Sequence, residues 1–265
     1  MNRSLKKFLY LLSPFFIFIL SFPFISANVK AKSEKSKITT ASSFAGLNTI
    51  EKSTFYAKLN LSSLGLSKDA FDNAFKGYEY LRSQGKLRND DVLTIVDFSL
   101  PSSEKRLFVI DLKNQKVLFN TYVAHGRNSG KEIASQFSND PESFKSSLGF
   151  YVTKNTYSGN HGFSLRLEGE EKGINDNALS RAIVMHSADY VNKDLINSQG
   201  YIGRSLGCPA LPKEVYKPII EKIKDGSCLF MYSSQSNYIT KSKLLQSATI
   251  LLASNNLQSS ADSLL

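Results

Sequence analysis

Cysteine and histidine are scarce in this chain, with two of the first and three of the second among 265 residues. Cys208 and Cys228 allow one bridge at most, which excludes a disulfide-framework protein. Their surroundings argue against even that bridge. Cys228 lies in Ser227-Cys228-Leu229-Phe230-Met231-Tyr232, an apolar run that reads as a buried strand, where a free cysteine is a small hydrophobe. Cys208 lies in a glycine-flanked turn. The histidines, His125, His161 and His186, match no helix or hairpin ligand spacing, so no metal site is expected. The segment Gly126-Arg127-Asn128-Ser129-Gly130 superficially suggests a phosphate loop but lacks the lysine and the following helix. No internal repeat is present, and no basic run interleaved with aromatics, so nucleic acid is not an expected partner despite a net charge of +10.

The amino terminus has a clear pattern. Arg3, Lys6 and Lys7 precede an almost unbroken apolar stretch from Phe8 to Ile25, and small residues follow at Ile25-Ser26-Ala27 and Val29-Lys30-Ala31. That order reads as a secretory signal peptide over residues 1–27 and implies export to the periplasm or cell envelope. The competing reading is a retained anchor, because the stretch approaches the roughly 20 apolar residues that span a bilayer. Pro14 and Pro23 interrupt it, which favours cleavage. Removing residues 1–27 takes three cations and no acid, so +10 falls to +7. A basic exported chain suits anionic polymers or a membrane surface nearby.

Beyond the signal segment, residues 28–65 are rich in Lys, Ser and Thr and read as a linker. A helical element is expected over 66–88. Phe71, Ala74, Phe75, Tyr78 and Leu81 recur at steps of three and four, with Ser67 as N-cap and Gly85 as the stop. Residues 89–235 read as the main domain. Strands are expected at Val92–Phe98, Arg106–Leu112, Lys116–Ala124, Leu148–Thr153, Ser164–Leu167, Ala182–His186 and Cys228–Tyr232, with a hairpin turn at Lys113-Asn114-Gln115. One helix is expected at Lys213–Lys224, where Val215, Ile219, Ile220 and Ile223 share a face. The fold class is therefore mainly β, a sandwich or partly closed barrel with few helices, preceded by a short helical element. Residues 236–265 read as a Ser- and Asn-rich tail with room for a short amphipathic helix near Lys241–Ala253.

The sharpest local feature is Gly203-Arg204-Ser205-Leu206-Gly207-Cys208-Pro209-Ala210. Glycine before the cysteine permits a tight turn that exposes sulfur. Successive N–H groups in such a turn can converge on an oxyanion. Pro209 has no N–H, which leaves the amides of Gly207, Cys208 and Leu206 as the expected donors. Taken alone, the segment also fits a reduced structural cysteine. His186 ends an apolar strand 22 positions earlier, far enough for a loop to bring it beside Cys208, where an imidazole would stabilise the thiolate.

The run Met185-His186-Ser187 … Gly203-Arg204-Ser205-Leu206-Gly207-Cys208 resembles the signature of the L,D-transpeptidases, a His followed by Gly or Ser, a loop, then Ser-His-Gly-Cys. Upstream, His125-Gly126 ends a strand, and Ser146-Ser147-Leu148-Gly149-Phe150-Tyr151 resembles the family's Thr-Pro-x-Gly-x-Phe strand. Gly226-Ser227 before an apolar strand resembles its closing strand, so the likeness covers residues 92–233. Two departures mark a divergent branch. Leu206 stands where most of the family has His, and Pro209-Ala210 stands for an apolar residue followed by Asn or Arg.

The resemblance implies a cysteine enzyme acting on peptidoglycan stem peptides, without a cofactor and as a monomer. It implies Cys208 as nucleophile, His186 as base, and Ser187 orienting the imidazole by side chain or backbone carbonyl. Arg204 would meet a substrate carboxylate, Ser205 would contact substrate, and His161, Gly162, Tyr157 and Arg166 would line the cleft. With an amine as acceptor the product is a cross-link between third-position diamino acids. With water the same chemistry is that of a carboxypeptidase. A non-catalytic wall-binding module with a structural Cys208 is the reading from another class.

Overall fold

The apolar runs read from the sequence pair into one sheet. In the computed structural model, which describes residues 49–234 and 237–262, eight strands follow in chain order: β1 (Val92–Asp97), β2 (Leu107–Asp111), β3 (Lys116–Thr121), β4 (Gly149–Gly159), β5 (Gly162–Gly169), β6 (Val184–Ser187), β7 (Ala210–Leu211) and β8 (Cys228–Tyr232). Their spatial order is β3-β2-β1-β8-β4-β5-β6-β7. The two outer strands nearly meet. Just past β3, the amide of Ala124 donates to the carbonyl of Ala210 in β7 at 2.8 Å, so the sheet curls into a nearly closed barrel. At its centre β1 and β8 run parallel, Leu93 opposite Cys228 and Val96 opposite Met231, and both strands are fully buried. A strand buried on both faces is a continuous apolar run, which is why these two are plain in the sequence.

The expected hairpin turn joins β2 to β3. The carboxylate of Asp111 accepts the backbone N–H of Asn114 at 2.8 Å and its side-chain amide at 3.0 Å, and Gln115 takes a positive φ of 51°. The expected strands are all present, with ends displaced by at most six residues; β4 continues well past Thr153 to Gly159. This extension carries the β4–β5 hairpin, which matters for the site.

Six helices accompany the sheet: α1 (Thr49–Lys58), α2 (Lys68–Ser83), α3 (Lys193–Gln199), α4 (Tyr216–Ile223), α5 (Tyr238–Lys241) and α6 (Lys243–Asp262). As expected, Ser67 caps α2, its hydroxyl accepting from Ala70 N at 3.2 Å and donating to Asp97 in β1 at 2.7 Å. The predicted face of α2, Phe71, Ala74, Phe75, Tyr78 and Leu81, is buried against the sheet. Each large side chain on it contributes about 1.5–3 kcal/mol by leaving water.

Two stretches read as appendages are part of the body. Residues 49–61, placed in a linker by their Lys and Ser content, form α1 and a turn that bury Phe55, Leu59 and Leu61. Phe55 stacks on Phe71 at 6.2 Å. Three apolar anchors among many polar residues are too few to show a period, yet they suffice once α2 offers a surface. The C-terminal stretch is also fastened. Glu171 is buried, and its carboxylate accepts the N–H of Phe150 at 2.8 Å and the hydroxyls of Tyr238 and Ser242. Leu244, Leu245 and Ala248 are buried beyond it. The expected signal peptide, residues 1–27, and the first part of the linker lie outside the described residues.

Helix α2 sits close to the sheet because position 77 is glycine. A Cβ on Gly77 would lie 2.0 Å from the Phe150 ring, which is itself stacked on Phe230 at 4.2 Å. Gly77→Ala therefore sets two effects against each other. Helix propensity favours alanine by about 1 kcal/mol, whereas overpacking a core costs about 1–3 kcal/mol. The ring has no free space to retreat into, so overpacking wins. Urea denaturation should show the variant less stable than the parent, and a more stable variant would mean that α2 can shift outward without loss.

Candidate active site

One strand and one turn build the site. β6 and β7 run parallel with His186 opposite Ala210 and Ser187 opposite Leu211. Cys208, two residues before Ala210, therefore falls just off the start of β7 beside the first residues of β6. There its Sγ accepts the N–H of Val184 at 3.4 Å and faces the carbonyl of Ala182 at 3.8 Å. Ala182 reaches this position with a φ of 53°, a left-handed conformation uncommon for a residue with a side chain.

The turn is held from within by Ser205. Its hydroxyl accepts the N–H of Gly207 at 3.0 Å and donates to the carbonyl of Cys208 at 2.6 Å. Its backbone bridges to the segment after β3, Ser205 N to His125 O at 2.9 Å and Arg127 N to Ser205 O at 2.8 Å. Gly207 has a φ of 124°, and a Cβ there would stand 2.9 Å from Lys145 O. Only glycine fits that backbone without a shift.

His186 is buried, and its Nδ1–H donates to the carbonyl of Ser187 at 2.9 Å. That bond fixes the tautomer and leaves Nε2 as the basic nitrogen. The expected orienting role of Ser187 thus falls to its carbonyl. Among the described residues Sγ of Cys208 has no hydrogen bond to the His186 ring.

The electrostatics differ from the sequence expectation of a thiolate stabilised by imidazole. Burial raises the Cys208 pKa, offset in part by the Val184 N–H and the charge of Arg181. Burial lowers that of His186, opposed by the Ser187 carbonyl and reinforced by His161. Both shifts favour the neutral forms, because desolvation penalises charge. The resting pair is a thiol and a neutral imidazole.

The remaining sequence candidates divide. His161 is brought into the site. It stands on the two-residue tip of the β4–β5 hairpin, closed by Gly159 opposite Gly162, and its ring stacks on His186 with centroids 4.3 Å apart. Gly162 serves that turn with a φ of 73°. Arg166 lies over the ring of Tyr157 at 4.2 Å, so these two pair with each other on the hairpin. Arg204 is exposed and bonds the carbonyls of Arg127 and Gly130 at 3.3 and 3.2 Å. Two of the expected site groups are engaged within the turn. Ser205 is buried, and its hydroxyl bonds Gly207 N–H and Cys208 O. The Gly207 N–H is thus taken up by Ser205, whereas the amides of Cys208 and Leu206 have no recorded partner among the described residues.

His125 is removed from the chemistry. Its ring Nδ1 accepts from the buried guanidinium of Arg106 at 2.7 Å, and its Nε2–H donates to Gly130 O at 3.2 Å. Burial and the Arg106 charge push its pKa down to about 3, so it stays neutral. Arg106 itself, pushed down to about 9 by burial, also donates to the carbonyls of Val123 and Leu100. Nothing in the sequence distinguishes Arg106 from a surface charge, nor Arg181, which donates to four acceptors between Ser138 and Ser147. Among the described residues no group of three His, Cys, Asp or Glu side chains could hold a metal ion.

A model of the L,D-transpeptidase catalytic domain matches residues 62–232, from just before α2 to the end of β8. The chain belongs to that family. No curated protein matches it. Among solved structures it is similar to an L,D-transpeptidase from Mycobacterium smegmatis, at 14% identity and a TM-score of 0.35, over 54% of this chain and 58% of that one. It is also similar to the helical cell shape determining protein of Campylobacter jejuni, at 16% identity and a TM-score of 0.39, over 67% and 61%. An L,D-transpeptidase from Stackebrandtia nassauensis matches at 13% identity and a TM-score of 0.32, over 70% and 78%. The chain thus spans about six tenths of the first two proteins. These likenesses are distant, and membership of the family rests on the domain match.

The two cysteines sit in opposite environments, which makes them distinguishable by chemistry. Both are free, Cys208 half-buried at the turn and Cys228 fully buried in β8 with its thiol pushed far up by burial. Iodoacetamide should label Cys208 of the folded protein and leave Cys228 unmodified until denaturation. Peptide mass analysis reads this directly, and equal labelling of both residues would contradict the placement of β8 in the core.

Proposed function

We propose that this chain is an exported L,D-transpeptidase in which Cys208 forms a thioester with a peptidoglycan stem peptide and His186 moves the protons. The observation that carries the reading is the convergence on β6. The same short strand holds the sulfur at Val184 N–H and presents His186 two residues later.

In the proposed cycle Nε2 of His186 takes the Sγ–H proton as sulfur attacks the carbonyl carbon of the third residue of a tetrapeptide stem. Charge develops on the carbonyl oxygen, and the free amides of Cys208 and Leu206 are the donors available to it. The C–N bond to the terminal D-alanine then breaks, and the imidazolium returns its proton to the leaving amine. The side-chain amine of the diamino acid on a second stem attacks the thioester, His186 takes the surplus proton, and the thiol is regenerated as the cross-link forms. Arg204, His161, Gly162, Tyr157 and Arg166 supply the polar and aromatic surface next to the site. The basic, apolar and small-residue order of residues 1–27 supports export, with maturation near Asn28 or Lys32 and action as a monomer at the cell wall.

Purified protein given a tetrapeptide stem as donor should release D-alanine and gain the tripeptide acyl mass on Cys208. A second stem should yield a dimer joined between third-position residues. Tripeptide without dimer at any acceptor concentration would make the enzyme a carboxypeptidase, and absence of D-alanine would remove the stem peptide as substrate. His186→Ala should lower turnover by at least about 10²-fold. The unprotonated imidazole is the working form, so activity falls as pH drops through its pKa. Burial lowers that pKa, and the acid limb of kcat/KM should therefore lie below the ordinary histidine value of 6.5.

A further inference from the structure

Arg181 stands three residues before the strand that carries His186, and no motif points to it. Its guanidinium is half-buried and unusually well anchored. One terminal nitrogen donates to Ser138 O at 2.9 Å and Ser147 Oγ at 2.5 Å, and the other donates to Lys145 O at 2.8 Å and Ser143 Oγ at 3.3 Å. No carboxylate forms an ion pair with it among the described residues. It also lies against the nucleophile turn. A Cβ on Gly207 would stand 3.3 Å from Nη2, so glycine is what lets the cation approach this peptide. Arg181 is followed by Ala182, whose left-handed backbone turns the chain so that its carbonyl and the next-but-one amide face Sγ.

We propose that Arg181 is an electrostatic positioning residue for the nucleophile, its fixed guanidinium holding the sulfur anion that forms when the thiol proton leaves. The inference rests on the reading of Cys208 as nucleophile but not on the identity of the substrate. The groups around the sulfur leave this role to Arg181. His186 and His161 lie on β6 and on the hairpin tip, and His186 rests neutral. Tyr190, on the loop after β6, has its phenol pushed up to about 12 by burial and by Cys208, so it carries no charge. Around Arg181 itself, the phenol of Tyr151 is kept neutral by burial, and Asp140 is the acid that acts on it. Among the described residues no carboxylate pairs with the cation, and it lies against the Gly207 peptide next to a sulfur whose hydrogen-bond donor is the Val184 N–H. Burial alone would suppress the thiolate, and Arg181 offsets part of that penalty.

The test uses the full chain carrying Cys228→Ala, so that iodoacetamide reports Cys208 alone. The alkylation rate measured against pH gives the midpoint of thiol ionisation without any stem peptide. Arg181→Met should raise that midpoint by about one unit, equivalent to a roughly tenfold slower reaction at fixed pH below it. Arg181→Lys keeps the charge and loses part of the bonding, and should recover most of the shift. Urea midpoints measured alongside report how much the loss of the four bonds loosens the 138–147 loop. If Arg181→Met does not fold, Arg181→Gln, which retains amide donors without charge, takes its place and should show the same rise. An unchanged midpoint in a folded neutral variant overturns the proposal, as do equal shifts in the Lys and Met variants, which would assign the effect to loop packing. A shifted midpoint in a protein that never releases D-alanine would sink the proposed function and leave this inference standing.

Discussion

The closure of the barrel between the segment after β3 and the Cys208 turn is the constraint on which the site depends. Three backbone hydrogen bonds make the seam: Ala124 N to Ala210 O, Ser205 N to His125 O and Arg127 N to Ser205 O. β7 is two residues long and could not hold a register by itself. It is defined by having β6 on one side and Ala124 on the other, and Cys208 inherits its position from that. The seam in turn needs the 123–127 segment fixed, and this is the task of Arg106. A fully buried guanidinium is costly unless its donors are used. Here they are spent on Val123 O, Leu100 O and the ring of His125, which ties the strand extension to the loop after β1.

On that frame, β6 is the working strand because one of its edges is only partly used. β5 pairs with it through Leu165 opposite Met185 and Arg166 opposite Val184. On the other edge β7 begins only at the level of His186. Val184 therefore has an N–H with no strand partner, and sulfur takes it. An edge N–H that would otherwise be an unpaired buried donor becomes the support of the Cys208 sulfur. The same desolvation that makes this bond useful also keeps thiol and imidazole neutral at rest.

Legibility in the sequence followed the range of the interactions. β8 is read end to end from Cys228 to Tyr232, and α2 from its cap and its period, because neighbouring residues announce both. α1 escapes notice because Phe55 and Leu59 have meaning only against Phe71 and Phe75. The short α3 is also missed, although Asn192 caps it and Gly200 ends it in a left-handed conformation. In the site, Cys208, His186 and Ser187 are legible through the spacing of a known signature. Ser205 and Gly207 are legible as residues but not as roles, since their partners, Cys208 O and Lys145 O, come from the folded turn and a distant loop. Arg106 and Arg181 are illegible, because an arginine buried by contacts 17 to 43 residues away looks like any other arginine in a basic chain.

The two departures from the family signature also acquire a physical meaning from the seam. Leu206 is 58% exposed, so the position where most of the family has histidine carries an apolar side chain on the surface of the turn. Pro209 can give no N–H, and none is wanted there. Its carbonyl accepts from His186 N at 3.4 Å, which starts the β6–β7 pairing. Ala210 is fully buried in a small cluster with Ala124, Ala188, Val191 and Ile202, where the two sides of the seam come together. An Asn or Arg side chain at that position would have to be buried among alanines without room or partners, at a cost typical of an unsatisfied polar group. The cation that such a residue could have brought to the nucleophile is available from another direction, on the residue that leads into β6. The sequence Pro-Ala after the nucleophile and an arginine before the strand are thus two parts of one arrangement, in which closing the barrel and charging the site are assigned to different segments of the chain.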